Sequence, residues 1–528
     1  MKNIAGIIFR SLILILLGLA IGVYLSMHSP GVLGFSVSED KLSKAVSLIK
    51  KQYVDTVNID SLEGVSANNL LQNLDPHSLY LPPQQAESIN ERLEGSFNGL
   101  GLEYALMRDT LFIVQVYPGG PAGKAGLKPG DKIIKVDHKK FAGTNLTTDY
   151  VNKILRGEPG SGIILTVTSA GSNVSKELSV NRGPVELGSI DAAYMAQPGT
   201  GYIKISKFAA NTDTDFKNAF NKLKANGLKK LVLDLRDNGG GYLNTATALA
   251  DEFLTDGKLI VFTKGAHEDR QDYFATDSGA FQDGKLAVLI NEYSASASEI
   301  LAGALQDLDR AVIVGRRSFG KGLVQQQFPF EDGSTVNLTV ARYYTPSGRS
   351  IQKSYKAGID SYHNEISERM RKGELFSEQN NRNDSVFKIH SPYHTAKGRQ
   401  VYSGGGIMPD IFVPADTTQN TELIQDLASG QVFNAYILDK MQPELKKFNS
   451  SDDFLKRYSV TDDTFDQFIL YASSTIKEMD SHELLASRPN IKMLLKAFAA
   501  RFKWGDNSYY EVMNNNDPTL KKAIEAIN

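Results

Sequence analysis

The chain contains no cysteine, which excludes a thiol nucleophile, disulfide bonds, cysteine-ligated zinc and a lipidated N-terminal cysteine. Net charge is equally scarce. Lys and Arg total 58 against 60 Asp and Glu, a formal −2, so no global field favours nucleic acid and any charged ligand must be met locally. Neither the Gly-x-x-x-x-Gly-Lys-Ser/Thr phosphate loop nor Gly-x-Gly-x-x-Gly occurs. The Gly-x-Ser-x-Gly nucleophile elbow is missing too. No cluster of His or acidic residues has ligand spacing, so neither a metal nor another cofactor is expected. No period of 20 to 50 residues recurs, which excludes a repeat array.

What remains is ordinary globular composition: 528 residues, 41% hydrophobic and 22% charged, enough for three or four domains at about 150 residues each. The N-terminus departs from it. Ile4 to Leu25 is apolar apart from Arg10 and a few small residues, and as a helix it would span roughly 33 Å at ~1.5 Å per residue. With Lys2 and Arg10 at its start, the positive-inside rule places everything after residue 25 across the membrane, so an inner-membrane anchor over 1–29 with the rest of the chain on the periplasmic side is expected. A cleaved signal peptide has a similar charged start and apolar core.

Residues 36–92 read as helical, with Leu42, Val46, Ile49 and Tyr53 at helical spacing before the turn Asp75-Pro76-His77-Ser78. From 93 to 184 the period is that of strands bounded by Gly and Pro. From 185 to 416 strands alternate with helices, the pattern of an α/β domain whose sheet is mixed. Within it, 353–399 is polar, charged and predicted to be a mobile surface insertion. The stretch 417–528, which holds the only tryptophan, Trp504, reads as a C-terminal helical domain.

Three segments carry possible chemistry. Leu231-Val-Leu-Asp-Leu-Arg-Asp-Asn-Gly-Gly-Gly241 is an apolar strand that ends in a triple glycine and opens a helix, where backbone N–H groups meet an anion, as in a phosphate cradle or an oxyanion hole. In Ser294-Ala-Ser-Ala-Ser-Glu299, Ser296 stands at a helix start either as half of a capping box with Glu299 or as a nucleophile. Phe319-Gly-Lys-Gly322 places Lys321 in a glycine-flanked turn, where burial would favour the neutral amine that a general base needs. The histidines, His77 among them, fall in turns, polar stretches or the insertion, outside the α/β core.

Tyr117-Pro-Gly-Gly-Pro-Ala-Gly-Lys-Ala-Gly-Leu-Lys-Pro-Gly-Asp131 and Asn98-Gly-Leu-Gly-Leu-Glu103 resemble a PDZ domain. The resemblance implies that Gly99, Leu100, Gly101 and Leu102 receive a peptide's terminal carboxylate on backbone N–H groups. The segments 294–307, 314–325 and 234–241, with Gly405-Gly-Ile-Met-Pro-Asp410, resemble the carboxy-terminal processing peptidases, or tail-specific proteases. That family implies a mixed-sheet peptidase domain with an inserted β-rich PDZ domain; with the helical N- and C-terminal regions read from the apolar spacing, the expected fold is multidomain α/β, and the chain beyond Asp410 lies outside the resemblance. The family also implies a serine endopeptidase without cofactor, acting through a Ser296/Lys321 dyad with Gln325 orienting the lysine. The oxyanion would be met by Ala297 with Gly240 or Gly241, and Arg236 would support that loop. The expected partners are a protein or peptide with a free C-terminus, the membrane through the anchor, and optionally further copies in an oligomer. The rival reading, a catalytically silent PDZ adaptor on this scaffold, would be favoured by loss of the serine or the lysine, and both are present.

Overall fold

The computed structural model describes residues 17–18, 41–169, 174–382, 393–416 and 421–528. The chain divides into a unit of residues 1–70 and a unit of residues 71–528. In the first unit the expected helices form, at Lys41–Gln52 and Ile59–Gln72, but the former buries no residue and the latter only Gly64. Leu42, Leu48, Tyr53, Leu62 and Leu70 are exposed, so among the described residues the anticipated small bundle shows no buried core. The anchor expected over 1–29 lies, apart from Leu17 and Gly18, outside the described residues. Among the described residues no helix is long and apolar enough to cross a membrane. The inner-membrane placement is therefore corrected, and no compartment is assigned.

The second unit is built on a six-stranded sheet in the order Ile190–Gln197, Thr200–Ile205, Lys230–Asp234, Lys285–Ile290, Val312–Gly315, Ile411–Phe412. Its first pair is antiparallel and the rest are parallel, the mixed sheet expected. Parallel strands are buried on both faces and so read as continuous apolar runs. Leu231, Leu233, Leu286, Val288 and Ile290 point to one side, where they meet helices Thr212–Ala225, Leu243–Asp251 and Ala297–Asp307 through Phe216, Leu249, Ile300 and Leu305. Val232, Ala287, Leu289 and Val314 point to the other, where Leu520, Ala523 and Ile527 of helix Pro518–Ile527 cover them. The last helix is thus a layer of the domain built on the six-stranded sheet. Helices between 422 and 514 instead enclose a separate core around Phe433, Phe454, Phe468 and Leu495, with Trp504 against Phe454 at 5.1 Å.

A second sheet joins Leu79–Leu81, Thr335–Tyr344, Leu259–Lys264 and Gln271–Phe274, with Leu323–Pro329 also on Thr335–Tyr344. Leu79–Leu81 precedes the PDZ-like module in sequence yet pairs with Thr335–Tyr344, so the module is an insertion in the α/β domain. Its own sheet runs Leu102–Met107, Thr110–Val116, Lys132–Val136, Gly162–Thr168, Ser175–Asn181, and helix Thr148–Leu155 packs on one face through Val151 and Leu155.

The other face of that sheet is also covered. Ala105, Met107, Phe112 and Val114 pack on Leu438, flanked by Ala435 and Phe502. Around them Arg501 holds Glu103 in a fork, both contacts at 2.8 Å, Gln115 Nε2 donates to the Arg501 carbonyl at 2.7 Å, and Arg108 pairs with Asp439 at 2.8 Å. Strand Thr110–Val116 accordingly has four consecutive buried residues, Leu111 to Val114. Arg501→Ala is expected to cost about 1 kcal/mol, because the ion pair is partly exposed, and to raise hydrogen exchange on strands Leu102–Met107 and Thr110–Val116. Unchanged exchange there would show that the apolar contact alone holds the module.

Candidate active site

The triple-glycine loop and the serine segment follow the C-terminal ends of neighbouring parallel strands, Lys230–Asp234 and Lys285–Ile290, where open α/β sheets place their sites. The three serines of the small-residue run have different roles. Ser294 and Ser298 are fully buried; their hydroxyls donate to the carbonyls of Leu235 at 2.8 Å and Asn238 at 2.9 Å, and Ala295 N–H donates to Asn238 at 3.0 Å. These bonds lash the helix start to the glycine loop. Ser296 is half-buried and stands at the helix start in a capping box with Glu299. Its backbone stands at φ 54°, ψ −114°, a conformation costing a non-glycine residue roughly 1–3 kcal/mol, which persists only where the surroundings enforce it.

Glu299 does the enforcing. Its side chain is wholly buried, one oxygen accepting Ser318 Oγ at 2.5 Å and Gly320 N–H at 2.7 Å. The other accepts Ser296 N–H at 2.9 Å and Lys321 N–H at 2.8 Å. One carboxylate therefore joins the backbones of Ser296 and Lys321. Burial pushes Glu299 up to about 7, against the pull of its four donors. Tyr343 adds a second tie: its buried hydroxyl lies 2.6 Å from the Lys321 carbonyl and 3.1 Å from that of Ser296. Burial lowers the Lys321 amine to about 8, although Glu299 and Asp75 nearby favour its charge.

The Gly240 N–H is engaged by Asn238 Oδ1 at 2.9 Å. Its φ of 101° requires glycine, and a Cβ there would sit 2.8 Å from that of Ser296 and 3.0 Å from Ala297 N. The loop is stapled from behind, Phe208 N–H donating to Gly240 and Tyr242 N–H to Phe208. Gln325 donates to Thr339 Oγ1 at 3.2 Å and makes no hydrogen bond with Lys321 among the described residues. Arg236 faces away from the serine toward the last helix, bonding Asp234 at 2.6 to 3.1 Å and Asp517 at 2.6 Å. Burial opposes the charge of Asp234, yet Arg236 and Lys204 beside it hold its carboxyl well below the usual range.

The expected mobile insertion lies partly outside the described residues, and within 353–382, largely exposed, a few residues are tied into the domain. Arg369 and Glu374 are buried with Arg317. Glu374 accepts both guanidinium groups at 2.7 to 3.0 Å, while Arg369 donates to the carbonyls of Arg317 and Ser318. The stretch thereby braces the segment that leads into Lys321. In the PDZ-like module, Leu100 is buried and its N–H donates to the Leu155 carbonyl at 3.2 Å. Gly99 bridges Arg156, Gly101 takes a φ of 78°, and Leu102 pairs with Val116.

Sequence reasoning saw Glu299 only as a capping partner, and overlooked Tyr343 and the contribution of 353–382. The sole signals were an acid three residues after a candidate nucleophile and the Asp-Pro-His-Ser turn discussed below.

Residues 199–361 match the model of peptidase family S41, 112–168 that of the PDZ domain, and 423–505 that of a family of unknown function. The carboxy-terminal-processing protease of Bartonella bacilliformis is 37% identical over 309 residues, 58% of this chain and 70% of that protein. The carboxy-terminal processing protease CtpB of Bacillus subtilis is 34% identical over 319 residues, 60% of this chain and 65% of the relative's length. A solved photosystem II D1 C-terminal processing protease is 33% identical, covering 59% of this chain and 83% of its own, with a TM-score of 0.33; the assignment rests on the sequence relatives. Fold and site thus define an α/β peptidase scaffold with an inserted PDZ domain. The chain belongs to the carboxy-terminal processing proteases, serine peptidases of family S41.

Glu299→Gln keeps the shape but replaces an acceptor oxygen with an amide facing N–H donors. Each donor left unpaired costs about 1–3 kcal/mol, so a lowered melting temperature is expected together with at least a hundredfold loss of kcat/KM. Wild-type turnover in Glu299→Gln would remove the carboxylate from the account.

Proposed function

We propose that this chain is a serine endopeptidase that engages the free C-terminus of a protein or peptide through its PDZ domain and cleaves it by a Ser296/Lys321 dyad. The observation that carries the reading is the Glu299 carboxylate accepting the N–H groups of both Ser296 and Lys321.

The neutral Lys321 amine takes the proton as Ser296 Oγ attacks the scissile carbonyl. The negative charge that develops on the carbonyl oxygen is met by the N–H groups of Ala297 and Gly241, since that of Gly240 is already engaged by Asn238. Preorganised donors of this kind are typically the largest single contribution to such catalysis. Lys321 then gives its proton to the departing amine, leaving an ester on Ser296; water attacks that ester with Lys321 again as base. Glu299 and Tyr343 hold the two residues in register, a part assigned to them in place of Gln325. Arg236 supports the glycine loop from the opposite face of the sheet.

In the PDZ domain the carboxylate is received at Gly99 to Leu102. The Leu100 N–H must leave the Leu155 carbonyl to take part, so ligand binding competes with a bond inside the domain. Amidating the C-terminus of one test peptide removes the charge and should cost ~1.5–3 kcal/mol of binding, roughly ten- to a hundredfold. Equal binding and cleavage of acid and amide would rule out tail recognition.

Because only the neutral amine acts as base, kcat/KM should rise with pH and level off above a midpoint near 8. Ser296→Ala and Lys321→Ala should both be inactive, and Lys321→Arg should not restore turnover, since a guanidinium stays protonated. Normal turnover in Lys321→Ala would end the dyad reading.

A further inference from the structure

The turn Asp75-Pro76-His77-Ser78 has no part in the chemistry described so far, yet it is built with care. Asp75 is buried, and its carboxylate accepts the N–H groups of His77 and Ser78 at 2.8 and 2.9 Å and the Ser78 hydroxyl at 2.6 Å. The turn is fastened to strand Thr335–Tyr344, the partner of the strand that follows Lys321: Thr339 N–H donates to Ser78 Oγ at 3.0 Å, and Asn337 donates to the His77 carbonyl at 3.3 Å. From the other side comes Tyr362, 2% exposed. Its hydroxyl shares a 2.7 Å hydrogen bond with His77 Nε2, and its ring meets that of His77 edge-on at 5.3 Å and that of Phe319, two residues before Lys321, at 5.8 Å.

We propose that His77 and Tyr362 are positioning residues that roof the Lys321 amine and exclude water from it. The proposal rests on the Ser296/Lys321 reading. Lys321 faces Glu299 from the buried helix and Asp75 from the turn, with Tyr343 at its carbonyl. His77 feels the charge of Lys321 and lies near Asp75, His363 and Lys353, while Tyr362 lies near Asp75 and Glu299, the same two carboxylates, and near Glu365. Lys353 belongs to the same cluster, at 3.1 Å from Glu365 and over the rings of Phe319 and Tyr362 at 3.8 and 4.3 Å. Burial, and next the charge of Lys321, push His77 down to about 3, so the roof is a neutral imidazole that adds no charge of its own. A cationic roof would repel the protonated lysine, and a carboxylate would hold the proton on it; a neutral aromatic pair acts by excluding solvent.

The test is the pH dependence of kcat/KM on fluorescein-labelled casein for the full chain, His77→Ala, Tyr362→Ala and Tyr362→Phe, with Lys321→Ala as control and melting temperature as a check on folding. Opening the roof should raise the midpoint by about one pH unit in each alanine variant, a roughly tenfold loss well below it that disappears on the alkaline plateau. Tyr362→Phe keeps the ring and should shift less. An unmoved midpoint in whichever alanine variants fold, or a loss equal at every pH, overturns the roof while Lys321→Ala stays inactive. Turnover by Lys321→Ala would instead overturn the dyad and the roof with it.

Discussion

One buried carboxylate, that of Glu299, is the constraint on which the site depends. Burying a charge costs several kcal/mol unless hydrogen bonds replace the lost water, and here four donors do so. Those donors come from two segments far apart in sequence, the helix start at Ser296 and the turn at Ser318 to Lys321. The carboxylate is satisfied only when both are in place, so the electrostatics of one side chain fix the relative position of Ser296 and Lys321. The strained backbone of Ser296 follows from the same requirement: its N–H must reach Glu299 while its neighbours are held by Ser294 and Ser298.

The layers around this centre carry the constraint outward. The main sheet is sandwiched between helices that include the serine helix and the last helix of the chain, and Arg236 ties the two sides through Asp234 and Asp517. The PDZ sheet is likewise covered twice, by its own helix and by residues 435–438 and 501–502. Glu103, the residue gripped by Arg501, directly follows the loop proposed to hold a ligand's carboxylate. The domain at 423–505 therefore touches the PDZ strand next to the recognition loop.

Much of this was legible in the sequence, for physical reasons. Parallel strands buried on both faces announce themselves as unbroken apolar runs such as Leu286 to Ile290, and glycines flank Lys321 because the turn there is tight. The sandwiching of the PDZ sheet was visible in retrospect in Leu111-Phe-Ile-Val114, too apolar for a strand with one wet face. Other features were closed to local reasoning. The part of Glu299 depends on a turn some twenty residues away folding over it. Residues 353–382 are largely exposed, but Arg369 and Glu374 within them form buried ion pairs, Glu374 also holding Arg317, which composition does not distinguish from a solvated loop. Helices at 41–72 have the right periodicity, but periodicity cannot supply a partner for their apolar face.

The central claim is that Glu299 holds one serine and one lysine in a single reactive geometry. It is tested most directly by rapid acid quench of the protein with a slowly hydrolysed peptide ester, followed by mass spectrometric mapping of the acylated residue. The account predicts an acyl group on Ser296 that accumulates in the wild-type chain and not in Lys321→Ala. Acylation of Ser294, Ser298 or any other residue, or equal acylation of Ser296 without Lys321, would contradict it.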